Sequence, residues 1–287
     1  MVAISGVTDT ALWVAWHRGQ ETSRENPLYK DPLALVLAGD RGEKIAKKMS
    51  SSDFMTWMMA LRTKAIDLFL LEAIKSGAVT VINLGAGLDT RPYRMELSDA
   101  VTWIEADFPE IISYKNQMLK EYRPVVKLER YGFDLTDRKK LQNFLARVIP
   151  SGGVAVVLTE GVIPYLDNAE VEALAEELKR ASGVRFWIQD FRHGGYSQGI
   201  PKLWFRMKMK RAPMKFEVGN WFDFFGRFGW TVEREVRTFN LAQTFNRPMP
   251  AAGIWSLMMF LVPRKKFSEW MASAGFVMFK NAGQNEQ

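Results

Sequence analysis

Apolar residues recur at helical spacing up to about residue 76, and at strand-and-helix spacing after it. The clearest early run is SSSDFMTWMMALRTKAIDLFLLEAIKSG. Within it Phe54, Trp57, Met58, Leu61, Ala65, Leu68 and Phe69 follow the i, i+3, i+4, i+7 pattern of one buried stripe. Ser52 or Asp53 can cap its start and Gly77 can end it. From Ala78 short apolar runs alternate with amphipathic ones. VTVINL (79–84), VTWIEA (101–106), VKLERYGF (126–133), GGVAVVLTEG (152–161) and VRFWIQD (184–190) read as strands. Pro109 suits the first turn of a helix running to about Glu121, and Thr136 can cap the helix after the third strand. Asp167 and Glu170 have the spacing of a capping box ahead of EVEALAEELKRA. Repeated units of this kind predict a parallel sheet covered on both faces.

The last part of the chain breaks the rhythm. Trp221 to Phe228 reads as a short helix and TVEREVRTF as a more polar strand. Ala251 to Ala274 reads as mostly helical and GFVMFK as a final strand. Seven strands with an antiparallel finish differ from a six-stranded dinucleotide fold. The expectation is one α/β domain over 1–287. It comprises a helical N-terminal cover (1–76), a core (77–190), an insertion or lid (191–230), and C-terminal strands with a helix (231–287).

Composition narrows the chemistry. With no cysteine, disulfides, thiolate catalysis and Cys-ligated metals are excluded. The only histidines are His17 and His193, too few for a catalytic zinc with several His ligands. No metal is expected. The first residues lack the basic and apolar regions of a signal peptide. The longest apolar run, Ala251 to Pro263, is 13 residues, short of the roughly 18–20 that span a bilayer. No membrane span and a cytoplasmic location are therefore expected. The net charge of +7 mildly favours anionic partners. KLWFRMKMKRAPMK (202–215) holds six cations and no acid, a solvated face or lid, or a surface for an acidic substrate or RNA. One such stretch is weak grounds for nucleic-acid binding.

VINLGAGLDTRPYR carries the most chemical information. Gly85-Ala86-Gly87 follows a strand at once, and glycine there permits a tight turn and close approach of backbone to a ligand. Glu105 and Asp107 end the second strand. Glu105 lies 20 residues beyond Gly85, the spacing that brings an acid to ribose hydroxyls. A dinucleotide site wants a third glycine, but this chain has Thr90 there with Asp89 beside it. A carboxylate repels a pyrophosphate and suits a sulfonium or ammonium. That favours S-adenosylmethionine over NAD, with an Asp89–Arg91 surface pair as the plainer alternative.

VINLGAGLDTRPYR, WIEADFPEIISYK, GFDLTD and TEGVIPYL, in this order, resemble the leucine carboxyl methyltransferase family, whose bacterial branch comprises polyketide-type O-methyltransferases. HRGQET, PLYKDPLA and ALRTKAID extend the resemblance toward the N-terminus. It covers residues 13 to 190 well. It implies a Rossmann-like class I methyltransferase fold, a seven-stranded mostly parallel sheet with helices on both faces, using S-adenosyl-L-methionine. It also implies residue roles. Arg62 would bind the methionine carboxylate, with Gly85 and Gly87 close to the methionine portion. Asp107 would bind ribose, with Glu105 as a second choice. Asp134 and Leu135 would contact adenine, and Glu160 would lie near the methionine ammonium. Arg18, beside His17, aligns loosely with a basic residue that helps hold cofactor or substrate.

The acceptor remains open between a carboxylate, which needs no base, and a hydroxyl, which benefits from one. His193, in QDFRHGG after the fifth strand, is the candidate base, and Tyr165 is another acceptor-side candidate. Scarcity of bases favours a carboxyl acceptor, neutralised by Arg192 or the basic 202–215 segment. The expected acceptor is a small hydrophobic or aromatic molecule in an apolar chamber. An NAD-dependent oxidoreductase, an RNA-modifying methyltransferase and a non-catalytic binding module are the competing readings.

Overall fold

The computed structural model describes residues 7–48, 52–194, 213–250 and 273–283. β1 (Thr80–Leu84) and β4 (Ala155–Thr159) are buried at every position. Strands apolar on both faces belong in the middle of a sheet sheltered by helices on each side. They sit there, in a seven-stranded sheet of order β3-β2-β1-β4-β5-β7-β6. β2 is Thr102–Asp107, β3 Lys127–Gly132, β5 Val184–Arg192, β6 Trp230–Arg237 and β7 Ala274–Asn281. β1 to β5 run parallel, and β7 lies antiparallel between β5 and β6. The order reverses between β1 and β4, which opens a crevice at the carboxyl ends of those strands.

Alternation along the strands divides the core in two. Val157 and Trp187 pack with the helices on one face, α6 (Arg138–Val148), α7 (Asn168–Arg180) and α8 (Trp221–Gly226). Val156, Leu158 and Ile188 pack with α3 (Ser52–Lys75) and α9 (Thr238–Thr244) on the other. The described residues before β1 are mostly helical. α1 (Val7–Gln20) packs on α2 (Pro32–Lys48) and on α3. α4 (Arg91–Arg94) and α5 (Pro109–Met118) follow β1 and β2. The Asp167–Glu170 capping box forms at the start of α7.

Several local expectations change. Leu68 is 38% exposed, although Phe54, Trp57, Leu61, Ala65 and Phe69 are buried. In this half of α3 the buried face is formed by Ala65, Ile66, Phe69, Leu70 and Ala73, and at about 3.6 residues per turn Leu68 points away from it. Asp137, not Thr136, caps α6 by accepting from Lys140 N at 3.0 Å. The Thr136 hydroxyl donates instead to Asp134 Oδ1 at 2.8 Å. β6 stops at Arg237, and TF of TVEREVRTF opens α9. The helix expected over 251–274 lies outside the described residues except for its last two positions. The basic 202–215 segment lies outside them except for 213–215. Among the described residues no helix is long and apolar enough to cross a membrane.

Candidate functional site

A cavity of about 410 Å³ opens over the carboxyl ends of β1, β2 and β4, with Thr10, Ala11 and Val14 of α1 across from them. The chain turns out of β1 through Gly85 and Gly87, both left-handed at φ +68° and +47°. A Cβ on Gly85 would stand 2.3 Å from Val162 Cγ2, so only glycine lets the turns after β1 and β4 meet this closely. Asp107 ends β2 and ties the turn down. Its carboxylate accepts from Gly87 N at 2.6 Å and from Phe108 N at 2.7 Å. Burial pushes its pKa up against those two bonds. Phe133, Asp134 and Leu135 after β3 line the cavity wall beyond Asp107.

The opposite end of the cavity is built on ion pairs. Arg62 of α3 donates Nε–H to Glu160 Oε1 at 2.6 Å, and Arg91 Nη1 donates to Glu160 Oε2 at 2.7 Å. Arg91 is fully buried and also donates to Asp67 Oδ1 at 2.7 Å and Asp89 Oδ2 at 2.9 Å. Arg94 pairs with Asp67, and Arg18 with Asp31. Burial works against the charge on Glu160, but Arg62 and Arg91 outweigh it and hold its pKa down at about 2. Asp89 is held lower still, because Arg91 and Arg18 overcome its desolvation. These groups stay ionised throughout the physiological range.

Among the described residues no hydrogen bond engages Arg62 Nη1 or Nη2, and Arg62 lines the cavity. Its two terminal nitrogens form the fork that a carboxylate accepts in bidentate fashion. Asn83, near the carboxyl end of β1, also lines the cavity. It donates Nδ2–H to Asp89 at 2.8 Å, and its buried Oδ1 has no partner among the described residues. An ammonium supplies the donor that this orphan acceptor and the spare lone pairs of Glu160 can take. A free cation fork, acceptors beside it, an acid further along and an aromatic-lined wall fit an amino acid joined to a nucleoside. The donor set therefore suits S-adenosylmethionine.

The cavity gathers Arg18, Arg62, Gly85, Ala86, Gly87, Asp89, Asp107, Asp134, Leu135, Glu160 and Tyr165. Two expected residues fall elsewhere. Glu105 is fully buried behind the cavity, held by Lys115 Nζ at 2.8 Å and Arg130 Nε at 2.7 Å, which commits both its oxygens to the scaffold. Alternation along β2 separates it from Asp107 by two residues on the same side, and only the terminal one reaches the crevice. His193 does not line the cavity. Its Nδ1 accepts from Trp221 N at 3.1 Å, and its ring packs against Phe191 and Phe222. With Nδ1 accepting, a neutral ring carries its proton on Nε2 and has no lone pair left to act as a base.

Other residues lie in the cavity with altered roles. Tyr165 lines the cavity, but burial pushes its pKa up to about 12, so near neutrality it is a donor. Arg18 spends Nε on Asp31 and Nη2 on Leu88 O. The Asp89–Arg91 pair forms, but as a buried strut. Lys215, the last cation of the basic segment, lines the cavity, whereas Arg192 does not. Sequence reasoning passed over Asn83, whose signal was an amide one residue from the carboxyl end of a buried strand. It also passed over Asp190, an acid at a strand's carboxyl end that accepts from Gly161 N at 2.6 Å. Among the described residues no cluster of acids and histidines is arranged to hold a metal ion.

Comparison with known proteins agrees with this geometry. The family model for leucine carboxyl methyltransferase matches residues 11–179. A protein from Frankia alni, named as an S-adenosyl-L-methionine-dependent methyltransferase, is 30% identical over 268 residues, covering 85% of this chain and 89% of that protein. A relative of the same designation from Mycobacterium avium is 29% identical, covering 84% of this chain and 89% of its own. The crystal structure of a methyltransferase from Thermobifida fusca superposes with a TM-score of 0.58 at 13% identity, over 96% of this chain and 94% of that one. The sheet and its covering helices thus have the Rossmann-like class I methyltransferase architecture.

Proposed function

The chain belongs to the leucine carboxyl methyltransferase family, S-adenosylmethionine-dependent methyltransferases, and we propose that it transfers the methyl group to oxygen, on a small, largely apolar acceptor. The observation that carries this reading is the Arg62 guanidinium, fixed through Nε by Glu160 and left with two terminal nitrogens toward the cavity. When bound, the cofactor supplies a methyl group already activated on a sulfonium, so no metal or covalent enzyme intermediate is required.

The protein's own task is placement. Arg62 holds the methionine carboxylate, while Asn83 Oδ1 and Glu160 accept from the ammonium. Asp107 accepts from ribose, its carboxylate aimed by Gly87 and Phe108 N–H. Leu135 and Phe133 cover the adenine, and Asp134 accepts from its amino group. Holding an acceptor oxygen in line with the methyl, about 3 Å away in a dry pocket, supplies several kcal/mol of the barrier.

The choice of oxygen follows from the groups present. Tyr165 remains protonated and His193 stands outside with its Nδ1 engaged. A carboxylate acceptor is ionised at neutral pH and needs neither. Lys215 at the cavity wall can balance its charge. The test is methyl transfer from labelled S-adenosylmethionine to a panel of aromatic carboxylic acids and phenols. Ester formation supports this reading, and transfer to phenols alone contradicts it.

A further inference from the structure

The carboxylates beside the methionine end come with arginine partners. Asp31 pairs with Arg18, Asp67 with Arg91 and Arg94, Asp89 with Arg91, and Glu160 with Arg62 and Arg91. That set balances: Arg18, Arg62, Arg91 and Arg94 against Asp31, Asp67, Asp89 and Glu160. Asp190 breaks the balance. It stands at the carboxyl end of β5, one strand over from Glu160, and its Oδ1 accepts from Gly161 N at 2.6 Å. Gly161 lines the cavity, and the Arg62 terminal nitrogens lie 3.4 Å from where its Cβ would be. Asp190 therefore flanks the same guanidinium as Glu160. Among the described residues it has no ion-pair partner, and burial raises its pKa despite the attraction of Arg62.

We propose that Asp190 is a specificity-determining counter-charge, which makes the site favour the methyl-bearing sulfonium cofactor over its demethylated product. The inference rests on the cofactor reading above. S-adenosylmethionine and S-adenosylhomocysteine share the carboxylate, ammonium, ribose and adenine. They differ in one methyl and one positive charge. An ion-pair network that sums to zero reads both alike. Asp190 adds a carboxylate at the methionine end, as Asp107 does at the ribose end, and in a pocket that screens charge less than water does that excess of negative charge reads the difference. Loss of the positive charge on methyl transfer then weakens the hold on the product and helps it leave. The alternative role for Asp190 is a neutral one, a clamp on Gly161 N–H alone.

Asp190→Asn removes the charge and keeps an oxygen that can accept from Gly161, whereas Asp190→Ser removes the charge with a hydroxyl one bond shorter. Calorimetric titration of the full-length protein with S-adenosylmethionine, S-adenosylhomocysteine and sinefungin separates the two roles. Sinefungin carries an ammonium where the sulfonium would be. Both variants are expected to lose about tenfold in affinity for S-adenosylmethionine and sinefungin, and under twofold for S-adenosylhomocysteine. Equal losses for all three, or none, overturn the proposal. So does a failure of both variants to fold, judged by thermal unfolding, since that assigns Asp190 to the scaffold. Wild-type protein that binds none of the three instead overturns the cofactor reading on which this one rests.

Discussion

Arg62 donates its Nε–H to Glu160 at 2.6 Å and keeps both terminal nitrogens free of protein partners among the described residues. The pair divides the labour of one guanidinium, with one edge for aim and the other for a ligand carboxylate. Arg62→Ala should weaken S-adenosylhomocysteine binding by about 1.5–3 kcal/mol, the range for a hydrogen bond to a charged group. Glu160 keeps Arg91, so the fold should survive. Isothermal titration measures the loss, and unchanged affinity removes Arg62 from the site.

Gly85 is constrained twice, by a left-handed φ of +68° and by Val162 Cγ2 at 2.3 Å from a built Cβ. Gly85→Ala should cost about 1–3 kcal/mol in backbone strain, with the clash in addition. Adding Val162→Ala should recover the steric part and leave the strain. Urea unfolding of the single and double variants resolves the two contributions. A silent Gly85→Ala is incompatible with this turn.

Glu105, Lys115 and Arg130 form a buried cluster behind Asp107. Lys115→Met leaves the fully buried Glu105 with one cation, and removing a partner from such a pair costs about 3–5 kcal/mol. The expected signature is a lower melting temperature, with cofactor affinity in the surviving folded protein little changed. A selective loss of affinity at normal stability contradicts a scaffold role for Glu105.

His17 is buried, and burial lowers its pKa from 6.5 to about 4. Between those values the unfolded chain takes up a proton that the folded chain refuses, so stability falls as pH drops from about 6.5 to about 4. At 1.36 kcal/mol per pKa unit this amounts to about 3 kcal/mol at most. Glu160 acts in a lower window. Its folded pKa of about 2 stabilises fully above 4.5, and that contribution is lost as pH falls toward 2. The difference in urea stability between wild type and His17→Gln, measured at pH 7 and pH 4.5, isolates the upper window. Parallel pH profiles contradict it.

The order of elements could be read in the sequence because apolar strands such as TVINL and AVVLT fit only a sheet covered on both faces. The glycine turn and the acid pair ending β2 could be read from their places at strand ends, whereas Arg62, Glu160 and the choice of Asp107 came only with the family resemblance. His193 and Glu105 could not be placed the same way. Whether a polar side chain faces ligand or scaffold depends on partners distant in sequence, Trp221 for one and Lys115 with Arg130 for the other. Arg91 shows the same limit. The sequence offers it only as one half of an alternative surface pair with Asp89, yet it is the buried hub joining Asp67, Asp89 and Glu160. Leu68 failed because the face that α3 buries shifts along the helix, to Ile66, Phe69, Leu70 and Ala73 in its second half.

Calorimetric titration of the purified protein with S-adenosylhomocysteine, and in parallel with NADH, bears most directly on the chemistry assigned to the cavity. The account predicts one saturable site for S-adenosylhomocysteine, with thermal stabilisation of about 2.7 kcal/mol at a hundredfold excess over Kd, and no heat with NADH. Binding of NADH with none of S-adenosylhomocysteine contradicts it.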